Sequence, residues 1–154
     1  MPLTLISPAF ADGETIPQRY TRDGENVSPP LKWSGVPQGT KSLVLVVEDP
    51  DAPSGTFGHW AVFNIRPDME GLSEAQGGKP GPQALAQGKN DFGNAYYDGP
   101  EPPMGHGLHH YHFRLAALDV PKLNGRPSDI RELWREAKKH VIEETELVGT
   151  YERA

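Results

Sequence analysis

A loop rich in proline and glycine runs from Gly99 to Leu108 and leads directly into an alternating apolar stretch, and this feature constrains the fold most strongly. Proline fixes φ and removes an amide donor, whereas glycine permits backbone conformations that other residues rarely adopt. The alternation that follows is typical of a β-strand with two different faces. The face predicted to enter the core carries His109, Tyr111, Phe113, Leu115 and Ala117. A histidine and a tyrosine at the start of an apolar face indicate the floor of a small polar pocket.

The other histidines near this strand are predicted to be exposed. His110, His112 and Arg114 fall on the opposite face of the strand, and His106 lies in the loop before it. A metal site could be imagined from His106, His109, His110 and His112. Metal ligands must converge on one point, however, and the alternation divides these side chains between two faces. We therefore expect no metal site here.

Composition limits the class of protein. The 154 residues predict one domain spanning 1–154, and the 16 prolines and 17 glycines separate apolar runs as turns between strands do. The net charge of −6 argues against sequence-independent binding to nucleic acid. The absence of cysteine excludes disulfides, thiol catalysis and cysteine-based zinc sites. The sequence shows neither a basic segment leading into an apolar core nor an 18-residue apolar stretch, so we expect a cytoplasmic protein without integral membrane association.

The apolar runs predict mainly strands. Leu3–Ile6 and 146–151 are predicted strands at the two ends of the sequence. The stretches 43–47 and 59–65 are predicted central strands, since 43–47 is apolar on both faces. Apolar residues at helical spacing predict one helix over 129–139, with Ser128 as its cap. This pattern favours a β-sandwich with small helical additions.

Two acidic residues and a histidine are expected to meet at one edge of the sheet. The first central strand ends at Asp49-Pro50-Asp51, and the second begins at His59. The link between these strands suits antiparallel neighbours, which brings the end of one beside the start of the next. His109 joins them only if its own strand lies alongside, which the sequence leaves open. Asp49 and Asp51 can alternatively serve the turn alone, because aspartate before proline commonly starts turns.

Three motifs in this order resemble the phosphatidylethanolamine-binding protein family. They are Asp49 to Pro53, then Gly58-His59-Trp60, then the segment from Gly99 to Tyr111. Segments 28–33 and 147–151 are similar to the bacterial, Raf kinase inhibitor-like branch of that family. The likeness covers almost the whole chain.

The resemblance implies a mostly β fold, a two-sheet antiparallel β-sandwich with one or two short helices near the C-terminus. It also implies a pocket at one end for phosphate or phosphorylated head groups. The positions that match the family's pocket are Asp49, Asp51, His59, Pro102, Pro103, Gly107, His109 and Tyr111. Neither catalytic residues nor a metal or cofactor are expected.

The chemistry of these residues suits an anion. Protonated histidines and amides flanked by glycine donate hydrogen bonds. Asp49 and Asp51 are expected to favour the charged form of the histidines, so that the proton is lost at higher pH. The same carboxylates can face the cation of a zwitterion such as phosphoethanolamine.

The leading hypothesis is a non-enzymatic protein that binds a small anionic or phosphate-bearing ligand and that regulates a partner such as a kinase or a protease. Two alternatives stay open. One is a hydrolase or lyase that uses an Asp/His pair as general acid and base on a small phosphoester or carbonyl compound. The other is a structural interaction module, such as a homodimer, whose pocket is vestigial.

Overall fold

The apolar run in the first half of the chain forms the strand on which the fold is built. The computed structural model describes residues 2–53, 55–78, 85–123 and 129–153. Every residue of this strand, β3 (Ser42–Asp49), is buried. Because side chains alternate between the two faces of a strand, β3 has packing partners on both sides. The predicted central strand at 43–47 is confirmed.

Five strands form the larger sheet, and all neighbours in it are antiparallel. Their order is β6 (Ala86–Gln87), β4 (Phe57–Ile65), β3, β7 (His109–Leu118) and β8 (Val141–Tyr151). The predicted pairing of the two central strands is therefore confirmed. On the other side of β3, Val47 pairs with Phe113 of β7, which settles the adjacency that the sequence left open.

A smaller sheet packs against one face of the larger one. It consists of β1 (Thr4–Ile6), β2 (Leu31–Ser34) and β5 (Gly71–Leu72), in the order β1-β2-β5 and again antiparallel. A short 3₁₀ helix, Gln18–Tyr20, lies in the connection between β1 and β2. Inward side chains of both sheets form one apolar core, which includes Leu5, Trp33, Leu45 and Phe113.

The only α-helix in the described part of the chain, α1 (Ile130–Lys138), covers the opposite face of the larger sheet. Its buried residues Ile130, Leu133 and Ala137 pack in a second apolar cluster with Val44 and Val46 of β3. The fold class is thus the expected two-sheet antiparallel β-sandwich with a helix near the C-terminus. Over the described ranges, no helix combines the length and apolar character needed to cross a bilayer.

Two boundaries differ from the sequence-based expectation. The helix is capped by Asp129, whose side chain accepts a hydrogen bond from the amide of Glu132; the predicted cap, Ser128, lies outside the described residues. The last strand begins at Val141 instead of residue 146. Its first half is acidic and half exposed, so it lacks the apolar signal of a buried strand, yet it pairs with β7 along its length.

The two faces of β7 follow the predicted alternation. His109, Tyr111, Phe113, Leu115 and Ala117 are all buried. On the other face His110 is exposed, whereas His112 and Arg114 are half-buried. Arg114 bonds to Glu48 and Glu146, so this face carries a small charged network.

The Asp129 cap is open to a direct test. Asp129→Ala removes the side-chain acceptor of the Glu132 amide in the first turn, and we expect a loss of about 1 kcal/mol in the free energy of unfolding. Asp129→Asn serves as the matched control, because asparagine caps a helix about as well as aspartate. Urea denaturation of both variants is the measurement. Equal loss in the two variants would show that the cap is not the source of the effect.

Candidate ligand-binding site

Three strand ends meet at one edge of the larger sheet and form a polar cluster there. β3 ends at Asp49, β4 begins two residues before His59, and β7 begins at His109. Nδ1 of His109 lies 2.6 Å from Oδ2 of Asp49. Asp49 and His109 are both almost fully buried, so each depends on the other to replace lost hydration.

Beside this cluster lies a cavity of about 260 Å³. Six of the eight residues predicted for the pocket line it: Asp49, His59, Pro102, Pro103, His109 and Tyr111. The other lining residues are Ala52, Pro53, Phe57, Phe92 and Glu101. The cavity is therefore mainly apolar, with a few polar groups that converge, as is usual for small-molecule sites.

Asp51 and Gly107 do not line the cavity. The Asp51 carboxylate accepts hydrogen bonds from the backbone amide of His110, at 2.8 Å, and from its Nδ1, at 2.9 Å. These bonds hold the pKa of Asp51 below its ordinary value. Asp51 thus fastens the turn after β3 to the start of β7. Its amide also donates to Oδ1 of Asp49, which is the turn chemistry that the sequence suggested as an alternative.

His59 is held in a defined neutral form. Its ring is buried, and Nδ1 lies 2.9 Å from the backbone carbonyl of Asp98. A carbonyl only accepts, so Nδ1 carries the proton and Nε2 keeps its lone pair. Burial lowers the pKa of His59, although the charge of Asp49 opposes this effect. The expectation that the carboxylates keep this histidine charged is wrong for His59, because the loss of hydration outweighs their attraction.

Tyr111 lines the cavity and has a buried hydroxyl. The side chain is almost completely buried, and its hydroxyl has no hydrogen-bond partner among the described residues. Its ring meets that of His59 edge to face, with centroids 5.2 Å apart. Burial raises the pKa of the phenol, so it stays neutral and can donate. A buried hydroxyl without a partner costs free energy, which a ligand oxygen in the cavity can recover.

The long loop over 88–107 is tied to the sheet by polar contacts. The side-chain amide of Asn90 donates to the backbone carbonyl of His59 and to the carboxylate of Asp98. The backbone amide of Gly99 donates to the side chain of Asn26, and the Tyr97 hydroxyl donates to the carbonyl of Tyr20. These bonds fix the loop, and with it the cavity walls Phe92, Glu101, Pro102 and Pro103.

A charged group lies at the rim of the cavity, and sequence reasoning did not identify it. Nε of Arg22 lies 2.7 Å from the Glu101 carboxylate, and Nη1 lies 2.9 Å from Asp98. The guanidinium also stacks over the ring of Phe92, 4.2 Å from its centroid. Arg22 is distant in sequence from its partners, so no local pattern reveals it. Phe57 and Phe92 also line the cavity without having been predicted as pocket residues. For Phe92, its place in the loop over 88–107 was a usable signal.

His106 is exposed, as predicted, yet it contacts the site. Its Nδ1 lies 2.6 Å from Nε2 of His109. Within the described ranges, no three or more His, Asp or Glu side chains are arranged to hold a metal ion.

A larger depression of about 580 Å³ lies on the smaller sheet, lined by residues that include Ile6, Lys32 and Glu70. Its described lining contains no histidine or tyrosine, so it lacks the convergent titratable groups of the first cavity.

The buried neutral state of His59 makes stability depend on pH. Because its pKa is lowered on folding, the folded protein binds fewer protons than the unfolded chain below the ordinary value of 6.5. The free energy of unfolding should therefore be fully retained above that pH and fall as pH decreases toward the lowered pKa, by at most about 1.4 kcal/mol per pH unit.

His59→Asn keeps an amide donor for the Asp98 carbonyl but does not titrate, so its stability should fall less steeply with acid. His110→Asn, at an exposed position, is the control. Urea denaturation between about pH 7 and pH 5, a range that spans the ordinary pKa of histidine, compares how steeply the free energy of unfolding depends on pH. If the free energy of unfolding of His59→Asn fell with acid as steeply as that of the parent, the buried neutral state of His59 would be contradicted.

Comparisons with known proteins agree over most of the chain. The family model for phosphatidylethanolamine-binding protein matches residues 6–152. A UPF0098 protein of Methanothermobacter thermautotrophicus is 48% identical over 154 residues, covering 98% of this chain and 99% of that protein. A UPF0098 protein of Pyrococcus abyssi is 48% identical over 152 residues, covering 96% of this chain and 84% of that protein.

Solved structures give the same answer. The crystal structure of YbcL from Escherichia coli, described as a new member of the mammalian PEBP family, has a TM-score of 0.93 and 34% identity, with 100% of both chains covered. A putative phosphatidylethanolamine-binding protein homologue from Chlamydia trachomatis has a TM-score of 0.85 and 37% identity, with 99% of both chains covered. The chain therefore belongs to the phosphatidylethanolamine-binding protein family.

Proposed function

We propose that this protein binds a small anion or a phosphorylated head group in the cavity between Asp49, His59, His109 and Tyr111. The observation that carries the proposal is the Tyr111 hydroxyl, which is buried at the cavity and lacks a partner in the described part of the chain. A group of this kind in a folded protein calls for an explanation, and a ligand that accepts its hydrogen bond supplies one. Membership of the phosphatidylethanolamine-binding protein family also supports a ligand-binding role.

The charge of the cavity favours particular ligands. Its described lining includes two carboxylates, Asp49 and Glu101, but no lysine or arginine. An anion must therefore rely on neutral donors such as Tyr111. The Nε2 lone pair of His59 suits a ligand oxygen that still carries a proton, because it accepts. Glu101 at the rim suits the ammonium group of a zwitterion such as phosphoethanolamine.

A substitution that removes only the hydroxyl tests the proposal. Tyr111→Phe should weaken the binding of inorganic phosphate about threefold to tenfold, the usual value of one net hydrogen bond. The ligand-free protein should be as stable as the parent, or more stable by up to about 1 kcal/mol, because an unpaired buried group has been removed. Calorimetric titration and urea denaturation give the two numbers.

The matched control is Tyr96→Phe, since Tyr96 lies in the loop over 88–107 that supplies walls of the cavity but does not itself line the cavity. The proposal fails if phosphate does not bind the parent protein, or if Tyr111→Phe binds it as tightly as the parent does.

A second candidate function rests on the short contact between Asp49 and His109. A buried carboxylate that orients a histidine is also the arrangement of a general base, so hydrolysis of a small phosphoester is the alternative. Turnover of para-nitrophenyl phosphate, lost in His109→Ala, would favour the enzyme. We expect no turnover above background in either protein. Regulation of a kinase or protease stays a prediction of the resemblance, and a homodimer with a vestigial pocket stays the structural alternative.

A further inference from the structure

Three side chains in successive contact lead from the buried floor of the cavity to the surface. Oδ2 of Asp49 lies 2.6 Å from Nδ1 of His109, and Nε2 of His109 lies 2.6 Å from Nδ1 of His106. Asp49 and His109 are only 3% and 1% exposed, whereas His106 is exposed. Both ring nitrogens of His109 are therefore engaged before any ligand arrives.

The short contacts among Asp49, His109 and His106 limit the number of protons that these three side chains can hold. An ionised Asp49 only accepts, so Nδ1 of His109 carries a proton toward it. Two N–H groups cannot face each other at 2.6 Å, so the contact between His109 and His106 holds a single proton. Either His106 donates to Nε2 of His109, or Nε2 donates to His106. In both arrangements Nε2 of His109 is occupied.

Two other polar groups near His109, the Tyr151 hydroxyl and the Asp51 carboxylate, have partners of their own. Tyr151 of β8 lies opposite His109 of β7, and its hydroxyl donates to the carboxylate of Asp23. The Asp51 carboxylate accepts a hydrogen bond from the backbone amide of His110. The ring of Tyr111 stacks on His109 with centroids 6.4 Å apart. His106 is thus the side chain that occupies Nε2 of His109.

The backbone around His106 leaves room for this contact to open. Gly105 and Gly107 flank His106 with φ of +73° and +97°, in the region that favours glycine. A Cβ placed at either glycine would meet no atom within 4 Å. The space beside both glycines is therefore open, and the exposed His106 ring can leave His109 without displacing the core, while the Gly105 amide stays bonded to the carbonyl of Arg153.

We propose that His106 is a positioning residue that competes with the ligand for Nε2 of His109, so that a ligand reaches this nitrogen only when the His106 contact opens. The inference rests on the proposed function and deepens it, because it assigns to an exposed residue outside the cavity lining the control of one of the donors in the cavity. Where Nε2 of His109 holds the shared proton, it then donates this proton to the ligand; where His106 holds it, Nε2 accepts from a ligand oxygen that carries a proton.

Calorimetric titration with inorganic phosphate at pH 6.5, about the ordinary histidine pKa, tests the competition. His106→Ala removes the competitor, and we expect phosphate to bind about twofold to tenfold more tightly than to the parent protein. His106→Asn is the conservative variant, because its amide can donate or accept in place of Nδ1, and it should bind phosphate as the parent does. His110→Ala, on the opposite face of β7, should have no effect.

A spectroscopic readout tests the contact without any ligand. In imidazole ¹⁵N–¹H spectra of the ligand-free protein, the Nε2 signal of His109 should shift in His106→Ala and return toward its original position in His106→Asn. An unchanged Nε2 signal in His106→Ala would show that His106 does not occupy Nε2 of His109, and this result would overturn the proposal.

The binding outcomes separate the two proposals. If the parent binds phosphate and His106→Ala binds it equally or more weakly, the competition is wrong while the proposed function stands. If no variant binds phosphate, the proposed function is wrong, and the competition falls with it.

Discussion

A buried carboxylate persists in an apolar interior only if hydrogen bonds replace the water that it has lost. Asp49 meets this requirement with both oxygens: Oδ1 accepts from the amide of Asp51, and Oδ2 contacts Nδ1 of His109. The first bond shapes the turn that leaves β3, and the second joins β3 to the start of β7. One side chain thus fixes the chain reversal and the orientation of the cavity histidine, and the position of the cavity depends on both.

The same low-polarity environment gives the two cavity histidines different roles. His59 has a backbone carbonyl as its Nδ1 partner, and burial keeps it neutral with a free lone pair. His109 has a carboxylate as its Nδ1 partner and another imidazole at Nε2. A site with one acceptor, one shared proton and one unpaired phenol is suited to an anion that brings a proton or induces the uptake of one. It differs from a site in which fixed cations attract any phosphate.

Much of the arrangement was accessible from the sequence because it follows from periodicity. The alternation from His109 to Ala117 predicts which side chains of β7 are buried, and the doubly apolar run at 43–47 predicts the central strand. The family motifs then identified six residues that line the cavity. The sequence leaves two roles open for Asp51, because a carboxylate that faces a ligand and one that fastens a turn look the same in sequence.

Other features depend on contacts between distant residues, which periodicity does not encode. Arg22 reaches Glu101 and the ring of Phe92 only through the folding of a loop over the sheet edge. The neutral state of His59 depends on the depth of its burial, which reverses the effect expected from the neighbouring carboxylates. His106 was predicted to be solvated, and it is exposed, but the turn at Gly105 and Gly107 also brings its ring to His109.

A crystal structure with bound phosphoethanolamine tests the central claim most directly. The account predicts the phosphoryl group in the cavity of about 260 Å³, with an oxygen within hydrogen-bond distance of the Tyr111 hydroxyl and another near His59 or His109. Phosphoethanolamine bound only in the depression on the smaller sheet, or a Tyr111 hydroxyl left without a partner in the complex, would contradict it.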